Sequence, residues 1–113
     1  MVWKDLEITR KASKSYYLVF KRKSAWVDIT GWTIYFTLKK QMKDPDTSAL
    51  IKKDVTTHLD AKHGKTAIVL TPIDTDIDEG NYYYDIVVKD EEGNVLPLYR
   101  GRMRMIEPVT QRS

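Results

Sequence analysis

The chain has 113 residues, 42% hydrophobic and 31% charged, with no cysteine, which suits one domain with its own core and excludes disulfides, thiolate metal sites and a cysteine nucleophile. Lys and Arg number 19 against 16 Asp and Glu, a net charge of +3; a nucleic-acid-binding surface usually concentrates positive charge more strongly. No apolar run approaches the roughly 18 residues that span a bilayer, and the mixed residues 1–10 are unlike a signal peptide, so no nucleic-acid or membrane partner is expected and synthesis in the cytoplasm is.

Period-two alternation dominates the chain. Residues 3–8 predict a first strand and residues 15–22 a second. The second carries Tyr16, Leu18 and Phe20 on one face and Tyr17 and Val19 on the other; two apolar faces predict a central or covered strand. Residues 33–39 follow Gly31, which fits the bend into a strand. Ile34, Phe36 and Leu38 point one way there, Tyr35, Thr37 and Lys39 the other. Lys43-Asp44-Pro45-Asp46 is a turn. Residues 49–55 predict a shorter strand whose lysines suit a sheet edge. A turn at 60–64 leads to a strand at 65–70, with Ala67 and Val69 opposite Ile68 and Leu70. In 71–80, Thr71, Pro72 and Asp74 can cap and start one helical turn and no more.

Residues 82–89 carry the strongest strand pattern, with Tyr82, Tyr84, Ile86 and Val88 on one face and Tyr83, Asp85, Val87 and Lys89 on the other. Residues 90–94 close a hairpin, Gly93 supplying a positive φ. In the last strand, 95–106, Tyr99, Gly101, Met103 and Met105 share one face and Arg100, Arg102 and Arg104 the other; Pro97 and Gly101 mark a bulge or bend. The expected fold is all-β, an immunoglobulin-like antiparallel β-sandwich of about seven strands over residues 1–108, with a tail at 109–113. Asp78-Glu79-Gly80-Asn81-Tyr82-Tyr83-Tyr84 resembles the D-x-G-x-Y-x-C corner of immunoglobulin domains, with Tyr84 at the cysteine position. The Tyr82 hydroxyl would then bond backward to the backbone. Trp32 or Trp26 would fill the place of the core tryptophan.

Catalytic and metal patterns do not assemble. Asp74-x-Asp76-x-Asp78-Glu79-Gly80 begins like a calcium loop, but its sixth position is Glu79 instead of glycine and its twelfth is Asp85 on a strand. His58, Asp60 and His63 cluster on a loop without the spacing a metal site needs and read as solvated. There is no nucleophile elbow and no glycine-rich phosphate loop. The chain is therefore read as non-enzymatic and free of cofactor and metal. Arg100, Arg102 and Arg104 stand about 7 Å apart along one face. They form either a solvated cross-strand ladder with Asp85 and Tyr83, or a docking face for an acidic partner. Tyr83, Arg100, Arg102 and Arg104 are the candidate partner-binding residues. Tyr17, Tyr35 and Tyr83 also point away from the expected core; they either pack on each other or meet a partner.

The turn motifs also resemble a family in their order. Asp28-Ile29-Thr30-Gly31-Trp32, Lys43-Asp44-Pro45-Asp46 and His63-Gly64-Lys65 come first. Leu70-Thr71-Pro72-x-Asp74-Thr75, Gly80-x-Tyr82-x-Tyr84-Asp85-Ile86 and Asp90-x-x-Gly93-Asn94 follow, then Gly101 and Pro108-Val109-Thr110. Over residues 25–110 this run is similar to a family of small tailed-phage and prophage proteins that includes the N-terminal domain of upper baseplate proteins. The resemblance implies an immunoglobulin-like virion protein, an assembly module that docks to other tail or baseplate subunits or holds a receptor-binding part, with no catalytic residues; self-association is a further option. Some members carry a helical linker and a carbohydrate-binding domain; neither is expected behind Ser113 here. The alternative is a free-standing domain that binds a glycan or a host surface protein, with Trp3, Trp26 or Trp32 as the stacking platform.

Overall fold

The computed structural model describes residues 2–110; part of the expected tail, 111–113, lies outside them. Ten strands follow in order: β1 (Val2–Trp3), β2 (Leu6–Thr9), β3 (Lys14–Val19), β4 (Lys21–Arg22), β5 (Ala25–Trp26), β6 (Thr33–Lys39), β7 (Ile51–Val55), β8 (Lys65–Leu70), β9 (Gly80–Lys89) and β10 (Val95–Ile106). Short 3-10 turns at Asp46–Ser48 and Ala61–His63 are the helical pieces among the described residues.

The larger layer runs β1-β10-β9-β6-β7, with β2 following β1 along β10. Both β1 and β2 lie parallel to β10; the other pairs are antiparallel. The smaller layer is the antiparallel pair β3–β8, and β4–β5 is a short hairpin. The chain thus changes layers repeatedly, pairing β3 with β8 and β6 with β9. That connectivity, with the corner at Tyr82, makes the domain an all-β, immunoglobulin-like sandwich.

Alternation puts one face of each strand inside. Ile34, Phe36 and Leu38 of β6 are buried, as are Tyr82, Tyr84, Ile86 and Val88 of β9 and Met103 and Met105 of β10. Ile68 and Leu70 of β8 close the core from the other layer. An immunoglobulin disulfide joins the two layers against a tryptophan. Here an aromatic stack occupies that position. Tyr16 of β3 lies 6.3 Å from Phe36 at 18°, and Phe36 lies 5.9 Å from Tyr84 at 22°. Neither Trp32 nor Trp26 takes the core position that the sequence reading assigned to them. Trp32 shares the inward parity of Phe36 but precedes the strand, so it closes the end of the sandwich edge-on to Phe20 at 5.5 Å. Trp26 lies outside, in the β4–β5 hairpin.

The corner forms as expected: the Tyr82 hydroxyl donates to the Asp78 carbonyl at 2.7 Å. The Tyr84 hydroxyl donates to the Lys4 carbonyl at 2.6 Å. Burial pushes the Tyr84 hydroxyl pKa up to about 12, with Tyr16 and Asp5 adding to it. Burial raises Tyr16 and Tyr82 as well. The folded state holds these protons more tightly than the unfolded chain does. Their stabilisation is therefore whole below about pH 10, the unfolded tyrosine pKa, and is lost as pH rises toward 12. The melting temperature should fall across that window, and less steeply in Tyr84→Phe; equal slopes in the two proteins would contradict the assignment.

Several boundaries differ from expectation for local reasons. The first strand breaks at Lys4, whose N–H donates to the Arg100 carbonyl at 2.9 Å. There the chain passes directly over Gly101: a β-carbon at 101 would collide with the Lys4 oxygen. Gly101 thus admits a crossing backbone. The bulge itself falls between Pro97 and Tyr99. The second strand ends early because Phe20 donates to the Gly64 carbonyl and accepts from the Val27 N–H, which starts the β4–β5 hairpin. Its turn residues Lys23 and Ser24 both have positive φ without the Asn or Gly that signals such a turn. Nor is β3 covered: among the described residues it pairs with β8 alone, and Tyr17 is 71% exposed. The lysine-rich β7 is an edge, as its composition indicated. In 71–80 one hydrogen-bonded turn forms and does not extend into a helix. The Thr71 N–H donates to the Asp74 carboxylate, the Asp74 N–H to the Thr71 hydroxyl, and the Thr75 N–H to the Thr71 carbonyl.

Candidate interaction face

The outward residues of β10, β9, β6 and β7 form a groove of about 550 Å³. Register aligns them in rows across the strands. Lys52, Thr37, Asp85 and Arg100 form the middle row; Asp54, Tyr35 and Val87 lie on one side of it, and Lys39, Tyr83 and Arg102 on the other. The segment after β6 contributes Met42 and Asp46 to the rim, and the Lys39 ammonium is paired with Asp46 at 2.7 Å.

Tyr83 and Arg100 line this groove. Arg102 is exposed and in register with Tyr83. Arg104 stands further along, opposite Asn81, and reaches Glu7 at only 3.9 Å. Arg100 is in register with Asp85, yet the two form no ion pair among the described residues. Its guanidinium lies 5.7 Å from the centre of the Trp3 ring instead. The cross-strand charge ladder therefore does not form. β1 and β2, which the sequence did not place beside β10, offer Trp3 and Glu7 to its arginines.

Asp85 is half-buried, and no hydrogen bond or ion pair to its carboxylate is present among the described residues. Burial pushes its carboxyl above the ordinary value, against the pull of Lys39. Outward parity and position on the strongest strand could have flagged it in the sequence. The overhang of residues 42–46 had no such signal.

The other candidate clusters resolve into structural roles. Asp74 receives the Lys53 ammonium at 2.8 Å, and Asp76 receives the Arg10 guanidinium at 2.9 Å. Arg10 also binds Glu107 at 2.7 Å, tying β2 to the end of β10 beside the tyrosine corner. These partners raise its pKa, the Glu107 hydrogen bond most. No sequence signal singled out Arg10. His58 is half-buried and not solvated as expected: Nε2 lies 2.8 Å from the Trp32 carbonyl and Nδ1 2.8 Å from the Thr66 hydroxyl. Because the carbonyl only accepts, Nε2 donates to it. His63 pairs with Asp60 on the surface at 2.8 Å. The tryptophans form no joint platform. Trp3 lies under Arg100, Trp26 under Lys21 and Lys65 at 4.2 and 5.1 Å, and Trp32 against Phe20.

No family model matches the sequence, and no curated protein does. Remote likenesses to solved structures exist. The soluble domain of PmoD from Methylocystis sp. ATCC 49242 (Rockwell) is 9% identical with a TM-score of 0.49, over 88% of this chain and 76% of that one. Murine CRIg is 11% identical with a TM-score of 0.41, over 92% of each chain. The extracellular domain of the voltage-gated sodium channel beta4 subunit, described as a parallel homodimer with a role in cell–cell adhesion, is 13% identical with a TM-score of 0.40, over 95% of this chain and 93% of that one.

Proposed function

We propose that this domain is a non-enzymatic docking module that receives another protein on the outer face of its larger sheet. Asp85 carries the reading. Its half-buried carboxylate has no protein partner among the described residues and has lost part of its hydration, and the side chains around it, Tyr35, Tyr83, Arg100 and Arg102, are of the types enriched at protein interfaces. A donor from a docked protein would complete the Asp85 site.

The setting we propose is the tail or baseplate of a tailed phage, where the domain would join other virion subunits. The ordered turn motifs of residues 25–110 support that setting. The glycan-binding alternative would rest on Trp3 and Trp26, which stay about half exposed but belong to separate strands and form no joint platform.

Arg102→Glu tests the reading. Arg102 forms no side-chain ion pair among the described residues, so the melting temperature should stay within about 4 °C. Incorporation into purified tail particles, read by quantitative mass spectrometry, should fall about tenfold, the effect of losing roughly 1.4 kcal/mol of docking energy. Wild-type incorporation of both Arg102→Glu and Asp85→Asn would remove this face as the docking site. Particles without the chain would remove the virion setting.

A further inference from the structure

The two layers are unequal. The larger has six strands and the smaller two. Asp74, four residues beyond the end of β8, is tied to β7 by its ion pair with Lys53. β8 therefore lies toward β7, and Tyr16 of β3 stacks on Phe36 of β6, so β10 and β2 extend beyond the free edge of β3. On the inner face of that overhang Leu6, Leu98 and Tyr99 are only partly buried.

The backbone phase of β3 is fixed. Phe20 donates to Gly64, so in this antiparallel register residues 14, 16 and 18 turn their N–H and C=O groups toward β8. Lys65, opposite Val19, bonds away from β3 to Asp60 in both directions, as the same phase requires. Ser15, Tyr17 and Val19 therefore direct their backbone groups outward, and no backbone partner meets them among the described residues. The β4–β5 hairpin does not cover this edge, since Phe20 accepts from Val27 on its β8 side.

Natural edges are guarded by charge, proline or a bulge. The β7 edge carries Lys52, Lys53 and Asp54. β3 begins with Lys14, but across Ser15-Tyr16-Tyr17-Leu18-Val19 there is no charge and no proline, and Tyr17 and Val19 are exposed. These residue types favour strand pairing.

We infer that β3 is an acceptor edge, and that an extended segment of another protein, with apolar residues at alternate positions, adds to it as the third strand of the small layer. Its inward side chains would cover Leu6, Leu98 and Tyr99, and its backbone would satisfy Ser15, Tyr17 and Val19. The occupant is a single strand, not a second whole domain. Two copies joined antiparallel along β3 would place both overhanging sheets on the same side of the joint and in collision. The main-chain bonds supply affinity and the alternate side chains specificity, as in other strand-addition complexes. This site is separate from the Asp85 groove, and either can fail without the other.

Amide exchange followed by NMR tests it, with ten-residue synthetic peptides alternating valine or leucine with threonine and ending in lysine as the probe. In the free chain the Tyr17 and Val19 amides should exchange as fast as those of loops, while the Leu18 amide is protected. Saturating peptide should slow the Tyr17 and Val19 amides at least about tenfold. Tyr17→Pro removes only an outward N–H, which edge strands tolerate, and should abolish the peptide effect while leaving the melting temperature within about 4 °C. The inference is overturned if the Tyr17 and Val19 amides are already protected in the free chain, if they are protected in a dimer seen by sedimentation, or if saturating peptide leaves their exchange unchanged. The exchange data on the unaltered chain decide the matter even where Tyr17→Pro fails to fold.

Discussion

Phe36→Ala should destabilise the domain by about 3–5 kcal/mol, the usual cost of emptying a buried aromatic site. Phe36 is fully buried, with Tyr16 on one side and Tyr84 on the other. A small domain holds only about 5–15 kcal/mol in total, so the variant should be close to unfolding at physiological temperature. The melting temperature should fall by at least about 12 °C. The stack has no covalent reinforcement, since the chain has no cysteine. Phe36→Leu keeps much of the volume and loses the ring contacts, and should cost distinctly less. Urea denaturation would measure both, with the midpoint shifted at unchanged slope. A loss below about 1 kcal/mol for Phe36→Ala, the size expected of an ordinary substitution, would show that the stack does not replace the inter-layer disulfide.

Gly101→Ala should be nearly as damaging, through crowding. The added β-carbon would collide with the Lys4 oxygen and lie 2.7 Å from its carbonyl carbon. Both atoms are backbone, so no rotamer change relieves the contact. Overpacking of this kind typically costs about 1–3 kcal/mol and occasionally more. Here it also disturbs the bonds that anchor Lys4, from the Tyr84 hydroxyl and to the Arg100 carbonyl. The cost should depend on the crossing segment: in a variant without residues 1–5, Gly101→Ala should be close to neutral. A double-mutant cycle of thermal or urea melts measures that coupling. The same penalty with and without residues 1–5 would place the strain elsewhere.

Alternation of side chains made the inner faces of β6, β8, β9 and β10 legible in the sequence, because a strand with one buried face repeats every two residues. The corner at Tyr82 was legible because its turn chemistry is local. The parallel pairing of β1 and β2 with β10 was not. It depends on a backbone crossing at Gly101, and a glycine in a strand signals a bend and a close approach equally well. The β4–β5 hairpin was hidden because Lys23 and Ser24 adopt positive φ without the usual residues. Two apolar faces on β3 suggest cover that the described residues do not supply.

The candidate face was legible in part. Tyr83, Arg100, Arg102 and Arg104 do lie outward on adjacent strands. Their neighbours were not, because side-chain direction depends on which strands flank β10. Arg100 turns to Trp3 and leaves Asp85 alone. The unpaired carboxylate that carries the functional reading thus arises from tertiary placement, although its outward position follows from strand parity.

Hydroxyl-radical footprinting of the chain, free and assembled in purified tail particles, tests most directly whether the outer face of the larger sheet is where another protein docks. Oxidation of Tyr35, Met42 and Tyr83 should drop several-fold on assembly, while Trp26, on the far side of the sandwich, serves as an internal reference. If Tyr35, Met42 and Tyr83 oxidise as fast in particles as in the free chain, the groove around Asp85 is not a docking site.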